Sequence, residues 1–95
     1  MLDSKTLVIK IGSNVLTKSD GLPDLERMSH LVSQIHGLIS SGKKVVLVSS
    51  GAVAFGRQNI HLPDKLNPVF KKQIWASTGQ IRLINEYQQL FGELN

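Results

Sequence analysis

Two short apolar runs, Thr6 to Ile11 and Val45 to Val48, flank a stretch whose apolar residues recur every three or four positions. The runs are β-branched and nearly continuous, as expected for strands buried on both faces of a parallel sheet. Between them, Leu25, Met28, Leu31, Val32, Ile35, Leu38 and Ile39 fall on one stripe of a helix. Pro23 suits the start of that helix and Asp24 and Glu26 suit its positive end. Gly42, followed by Lys43 and Lys44, suits its stop. Strand, helix and strand in that order predict a βαβ unit with parallel strands, and so an α/β layered fold.

Beyond the second strand, a helix is predicted to begin just after Ser50 and Gly51. Asn59 to Pro68 reads as a loop broken by Pro63 and Pro68. Two further helical stretches are expected to meet near Gly79, the later one carrying Leu83, Ile84, Tyr87, Leu90, Phe91 and Leu94 on one face. Two parallel strands cannot bury both faces or satisfy their outer edges alone. The pattern stops at Asn95 after a helix, where an α/β alternation would next supply a strand. The expectation is one domain, or part of one, cut short, with no internal repeat.

Composition narrows the function classes. A chain of 95 residues has room for one modest core, and its ordinary apolar content argues against disorder. The formal net charge is +4, yet the basic residues are dispersed from Lys5 to Arg82, with only Lys43-Lys44 and Lys71-Lys72 adjacent. A nucleic-acid surface calls for a clustered basic face, so no nucleic-acid partner is expected, while anionic small substrates would suit the charge. The absence of cysteine excludes disulfides, thiolate metal sites and cysteine nucleophiles, and is compatible with a reducing cytosol. Residues 1–13 carry an early acid and a lysine inside the apolar run. They are neither signal peptide nor membrane span, and a cytoplasmic protein is expected.

Chemistry is expected where the strands end. Strand one closes on Lys10-Ile11-Gly12-Ser13 and strand two on Ser49-Ser50-Gly51-Ala52. Ligands bind outside the carboxyl ends of parallel strands, where loops and helix N-termini present free backbone N–H groups. Lys10 is an unusual residue for an apolar strand unless an anion is near it. Gly12 would let a phosphate approach the backbone, and Ser13 would add a hydroxyl or amide donor. Equally, Lys10 could snorkel at a strand end and Gly12 make a turn, and spacing does not separate the two. Ser50 is read as a ligand hydroxyl, with the Gly51 and Ala52 amides at a helix start. The competing role for Ser50 is an ordinary N-cap.

Other features carry less. The loop from Gly12 to Pro23 is long and polar, as functional or mobile loops are, although Gly21 with Pro23 could form only a turn. Gly51 and Gly56 share the glycine spacing of a Walker A motif, but Arg57-Gln58 stands where Lys and Ser or Thr belong. His30 and His36 do not share a helical face as a metal pair would, and no metal site is expected. Phe55, Phe70, Trp75 and Tyr87 read as core or subunit-interface residues, since no basic groove interleaves them.

LVIKIGSNVLT, VVLVSSGAVAFGR and QIWASTGQIRLI together resemble the start of the glutamate 5-kinases, a branch of the amino-acid kinase superfamily. The likeness runs through nearly the whole chain. Lys10-Ile11-Gly12 is similar to the Lys-x-Gly that opens the superfamily. The loop from Ser49 to Arg57 is similar to the glutamate 5-kinase version, where acetylglutamate and isopentenyl phosphate kinases carry a His-Gly-Gly-Gly type. Aspartokinases differ after their first lysine from Gly12-Ser13-Asn14-Val15.

The resemblance implies a three-layer α/β/α sandwich with a mainly parallel sheet, here only its N-terminal βαβ-plus-helices part. Residues 1–95 would be the glutamate-binding side, without the nucleotide-binding part. It implies transfer of the γ-phosphoryl group of ATP, carried with Mg2+, to the side-chain carboxylate of L-glutamate in proline biosynthesis. Lys10 would be catalytic and bind phosphate with Gly12 and Ser13, while Ser50, Gly51 and Ala52 would hold glutamate. A homo-oligomer is implied, as is inactivity of this segment alone. The alternatives are another acid kinase of the superfamily, acting on aspartate or carbamate, and a non-catalytic association fragment.

Overall fold

The structure is a computed structural model, and it describes residues 5–95. Strand β1 (Thr6–Ile11) leads into a single-turn helix α1 (Ser13–Leu16), then α2 (Leu25–Ser40), strand β2 (Lys44–Ser49), α3 (Ala52–Asn59) and α4 (Pro68–Leu94). The strands pair in parallel with Thr6 opposite Lys44 and Ile11 opposite Ser49, forming a two-stranded sheet among the described residues. This is the expected α/β arrangement of a βαβ unit followed by helices. β1 has the predicted bounds, and β2 extends the predicted run by one residue at each end.

Alternation along the strands decides where the core sits. Ile9 and Ile11 of β1, with Val45 and Leu47 of β2, point toward helices α2 and α4 and join Leu16, Met28, Val32, Ile35, Phe55, Leu83 and Tyr87 in one core. The opposite sheet face stays open, and Val8, Val46 and Val48 are 56%, 43% and 50% exposed. Burial of both strand faces was expected and is not found. Among the described residues both helices that pack on the sheet lie on the same side. Lys10 pairs with Val48 and shares this open face. It is therefore exposed, so the desolvation cost that makes a buried lysine unusual does not arise.

Local chemistry explains the element ends. Asp24, not Pro23, caps α2, because its carboxylate accepts the Arg27 N–H at 3.0 Å. Pro23 lies outside the helix, bridged to Thr17. At the other end Gly42 takes a φ of +97°, the left-handed conformation that commonly follows a helix. Pro68 is the first residue of α4 rather than a breaker within the preceding loop. Asn67 caps that helix by accepting the Val69 N–H at 2.8 Å.

Two helices were expected to meet near Gly79, yet α4 runs unbroken for 27 residues through it. A glycine in a helix costs about 1 kcal/mol against alanine, too little to end a helix that packing holds. Packing requires this glycine. A Cβ at Gly79 would collide with the Ala52 carbonyl oxygen and the Gly56 nitrogen, and one at Gly56 would collide with the Trp75 backbone. The two glycines let α3 and α4 cross with their backbones nearly touching, which fixes where α3 begins. Of the face predicted for the later helix, Leu83 and Tyr87 are buried and Leu90 and Phe91 pack against the core. Ile84 and Leu94 are exposed. No helix among the described residues is long and apolar enough to cross a membrane.

Candidate functional site

Both strand ends open onto one cleft of about 660 Å³, into which Ser13, Ser50, Gly51 and Ala52 all face. The strand ends are tied together by the Ser50 N–H, which donates to the Ile11 carbonyl at 2.9 Å. The chain then turns sharply into α3 at Gly51, whose φ of +117° favours glycine because a side chain is strained there. Gly51 is itself the N-cap of α3, and no side chain caps that helix. Ser50 therefore does not serve as the N-cap that sequence left open for it. It lines the cleft just before the amides at the positive end of α3, a setting that favours an anion.

Ser49 anchors this loop from below. Its Oγ donates to the Ser50 carbonyl at 3.0 Å and shares a 2.6 Å hydrogen bond with the Tyr87 hydroxyl of α4. Burial pushes the Tyr87 hydroxyl above its ordinary value of 10.0, an effect the Ser49 hydrogen bond partly offsets. The loop is thus pinned to β1 through Ser50 and to α4 through Ser49.

Residues 17–23 form an ordered turn. The Gly21 N–H donates to the Lys18 carbonyl at 2.9 Å, the Lys18 N–H donates to the Leu22 carbonyl at 2.9 Å, and the Leu22 N–H donates to Asp20 Oδ1 at 3.0 Å. Gly21, at φ +85°, forms part of the cleft wall. The long polar loop is thus both a turn and a contributor to the site.

The structure does not bring all the expected site residues together. Lys10 and Gly12 do not line this cleft. Lys10 is on the open sheet face, whereas Ser49 at the end of β2 is on the covered face. Gly12 has an ordinary extended conformation, and a Cβ there would meet nothing within 4 Å. Space beside that backbone is therefore free, but no turn demands a glycine. Further residues not assigned to the site from the sequence also line the cleft, among them Asn14 and Thr17 after β1, Arg57 at the end of α3, and Lys72 and Gln80 from α4. The last two come from a helix that nothing in the local sequence ties to the strand ends. No group of three or more Asp, Glu or His side chains comes together among the described residues.

Comparison with known proteins places the chain. Residues 5–95 match the amino acid kinase family. The chain is 49% identical over 87 residues to the glutamate 5-kinase of Bacteroides thetaiotaomicron, covering 92% of this chain and 24% of that protein. It is 45% identical over 87 residues to the glutamate 5-kinase of Chlorobaculum tepidum, with 92% and 24% covered. To that of Syntrophus aciditrophicus it is 45% identical over 89 residues, with 94% and 23% covered. The chain thus spans about a quarter to a third of the length of the curated relatives it matches.

Proposed function

The chain belongs to the amino acid kinase family, and we propose that it forms the acid-binding side of an enzyme that phosphorylates the side-chain carboxylate of L-glutamate with ATP. The observation that carries this is the convergence of Ser13 and the Ser50-Gly51-Ala52 helix start on one cleft at the carboxyl ends of both strands. Hydroxyls and unpaired helix amides there suit a carboxylate.

In the proposed reaction a γ-carboxylate oxygen of glutamate attacks the γ-phosphorus of ATP. The bond from that phosphorus to the β,γ-bridging oxygen breaks, ADP leaves, and glutamyl 5-phosphate forms. No proton needs to move and no enzyme intermediate is required. Both reactants are anions, so catalysis rests on holding them in line and neutralising charge on the transferred phosphoryl. Mg2+ travels with ATP as part of the substrate.

Lys10 is assigned the charge role on the phosphoryl side. It stands on the sheet face opposite Ser49, one residue before the strand end, with the open backbone of Gly12 close by in sequence. Ser13 is assigned to the phosphates and Ser50, Gly51 and Ala52 to glutamate. The phosphoryl group would then cross the carboxyl edge of the sheet from the Lys10 side to the cleft. We place the reaction in the cytoplasm, in an enzyme built from several copies of its chain.

The test is hydroxylamine trapping of acyl phosphate with ATP, Mg2+ and glutamate, using the protein encoded by the longest reading frame that contains these residues. Glutamyl hydroxamate should form, and Lys10→Ala should lower its rate on the order of 100-fold or more, as removing a preorganised charge at a transition state does. Near-normal turnover by the variant would remove Lys10 from the mechanism. A folded parent that makes no glutamate-dependent product would remove the glutamate reading. Product with aspartate alone would reassign the acid.

A further inference from the structure

Arg57 stands in the sequence where a P-loop would have lysine and closes the loop that carries the family resemblance, with no role assigned to it, and the structure gives it a defined place. It lies in the last turn of α3 and lines the same cleft as Ser50, Gly51 and Ala52. Its guanidinium carbon sits over the Trp75 ring, 4.7 Å from the centroid. The ring is held in turn, because the Trp75 indole N–H donates to the Ile60 carbonyl at 2.8 Å. The Gly21 turn also comes close, so near that a Cβ on Gly21 would collide with an Arg57 terminal nitrogen.

A guanidinium set over an aromatic ring still has planar N–H donors with which it can bind a carboxylate in a fork. The ion pair found among the described residues is Lys18 with Asp20, and Arg57 is in none. Asp20, the acid next to Gly21 in sequence, is already engaged by Lys18 and by the Leu22 N–H. Lys72 lines the cleft as well, and the Lys71 ammonium lies 6.0 Å from the Trp75 centroid, so this wall is positive. An exposed cation over the Trp75 ring and beside the Gly21 turn, without a carboxylate of its own, is available to an outside anion.

We infer that Arg57, set over Trp75 and beside the Gly21 turn, binds the non-reacting carboxylate of the acid substrate and so makes the site select a dicarboxylic amino acid. This rests on the proposed function. Ser50, Gly51 and Ala52 sit at the start of α3 and Arg57 five residues after Ala52, about 7 Å further along the helix axis. The cleft thus offers separated donors for the two ends of one substrate.

The test uses the protein encoded by the longest reading frame containing these residues, with glutamate and its 1-amide compared as acceptors in the hydroxamate assay. The 1-amide keeps the reacting carboxylate and lacks the other. The parent should prefer glutamate. Arg57→Gln should raise KM for glutamate roughly 10- to 100-fold, the loss expected for a charge-assisted hydrogen bond, and should erase the preference over the 1-amide. KM for ATP should stay within about twofold, since only acid binding is removed. Arg57→Lys should recover part of the preference, as a point charge replaces a fork.

A guanidinium that merely clamps α3 to α4 would alter stability or both KM values and leave the glutamate-to-amide ratio unchanged, and that result overturns the inference. A rise confined to KM for ATP overturns it too, by giving the guanidinium to the nucleotide. If the variants do not fold, the parent still decides, because equal use of glutamate and its 1-amide sinks the inference. A parent that makes product with glutamate and passes none of these tests leaves the kinase reading standing alone. A parent inactive with every acid removes both.

Discussion

Replacing Gly79 by alanine sets two effects of opposite sign against each other, and the structure says which wins. In a helix interior the substitution gains about 1 kcal/mol, because alanine is the better helix former. Against that, the new Cβ would run into the Ala52 carbonyl oxygen and the Gly56 nitrogen. Both are backbone atoms of α3 and its start, so no rotamer change can clear them. α3 would have to move away from α4 by roughly 1.5 Å, and overpacking of this kind costs about 3 kcal/mol when the neighbours cannot yield. The net expectation is a loss of about 2 kcal/mol.

Gly37, inside α2, supplies the control, since a Cβ there meets nothing within 4 Å. Gly37→Ala should keep the propensity gain and stabilise the chain by about 0.5–1 kcal/mol. Urea unfolding of this chain, followed by far-ultraviolet circular dichroism and by the fluorescence of its single tryptophan, Trp75, gives both values. With a slope of about 1 kcal/mol per molar urea for a chain of this size, the Gly79→Ala midpoint should fall by about 2 M and the Gly37→Ala midpoint rise by up to about 1 M. Loss of cooperative unfolding in Gly79→Ala agrees with the expectation. A Gly79→Ala midpoint at or above that of the parent would refute the close backbone crossing.

Gly51→Ala should destabilise by about 1–2 kcal/mol through its positive φ, and not through crowding, because the nearest atom to the new Cβ is Leu16 Cδ1 at an ordinary 3.4 Å. In the extended protein it should also raise KM for glutamate, and an unchanged urea midpoint would show that the turn tolerates a side chain. Tyr87→Phe should cost about 1 kcal/mol at neutral pH through loss of the Ser49 hydrogen bond. Because the folded-state pKa of Tyr87 is raised, its neutral form is favoured by folding. That contribution is present in full below pH 10 and is lost as pH climbs through the raised value, so stability should fall above about pH 10. Urea midpoints measured across that range should fall less steeply in Tyr87→Phe than in the parent, and equal slopes would exclude Tyr87 as a contributor.

The parts of the fold legible in the sequence are those governed by period and local chemistry. β1 and the stripe of α2 follow from apolar spacing, and Gly42 stops α2 as its type suggests. Where two local signals compete, spacing does not rank them. Pro23 and Asp24 both mark a helix start, and the carboxylate's bond to the Arg27 N–H places the cap at Asp24. Gly79 shows the stronger limit. In the sequence it is a weak point between two helices, whereas in the structure it holds one helix against another. That role depends on Ala52 and Gly56, residues more than 20 positions away, and no local window contains them.

The site divides along the same line. Ser13, Ser50, Gly51 and Ala52 could be read because strand ends are where parallel sheets bind ligands, a rule that needs only the strands. Arg57, Lys72 and Gln80 could not, because α3 and α4 carry them to the cleft through a helix crossing set by glycines. The same crossing brings Trp75 under Arg57. Widening it should therefore loosen the guanidinium as well as the fold. If Arg57 selects the acid, Gly79→Ala in the extended protein should weaken the preference for glutamate over its 1-amide while every cleft residue remains in place. A clamp with no part in binding would leave that preference untouched.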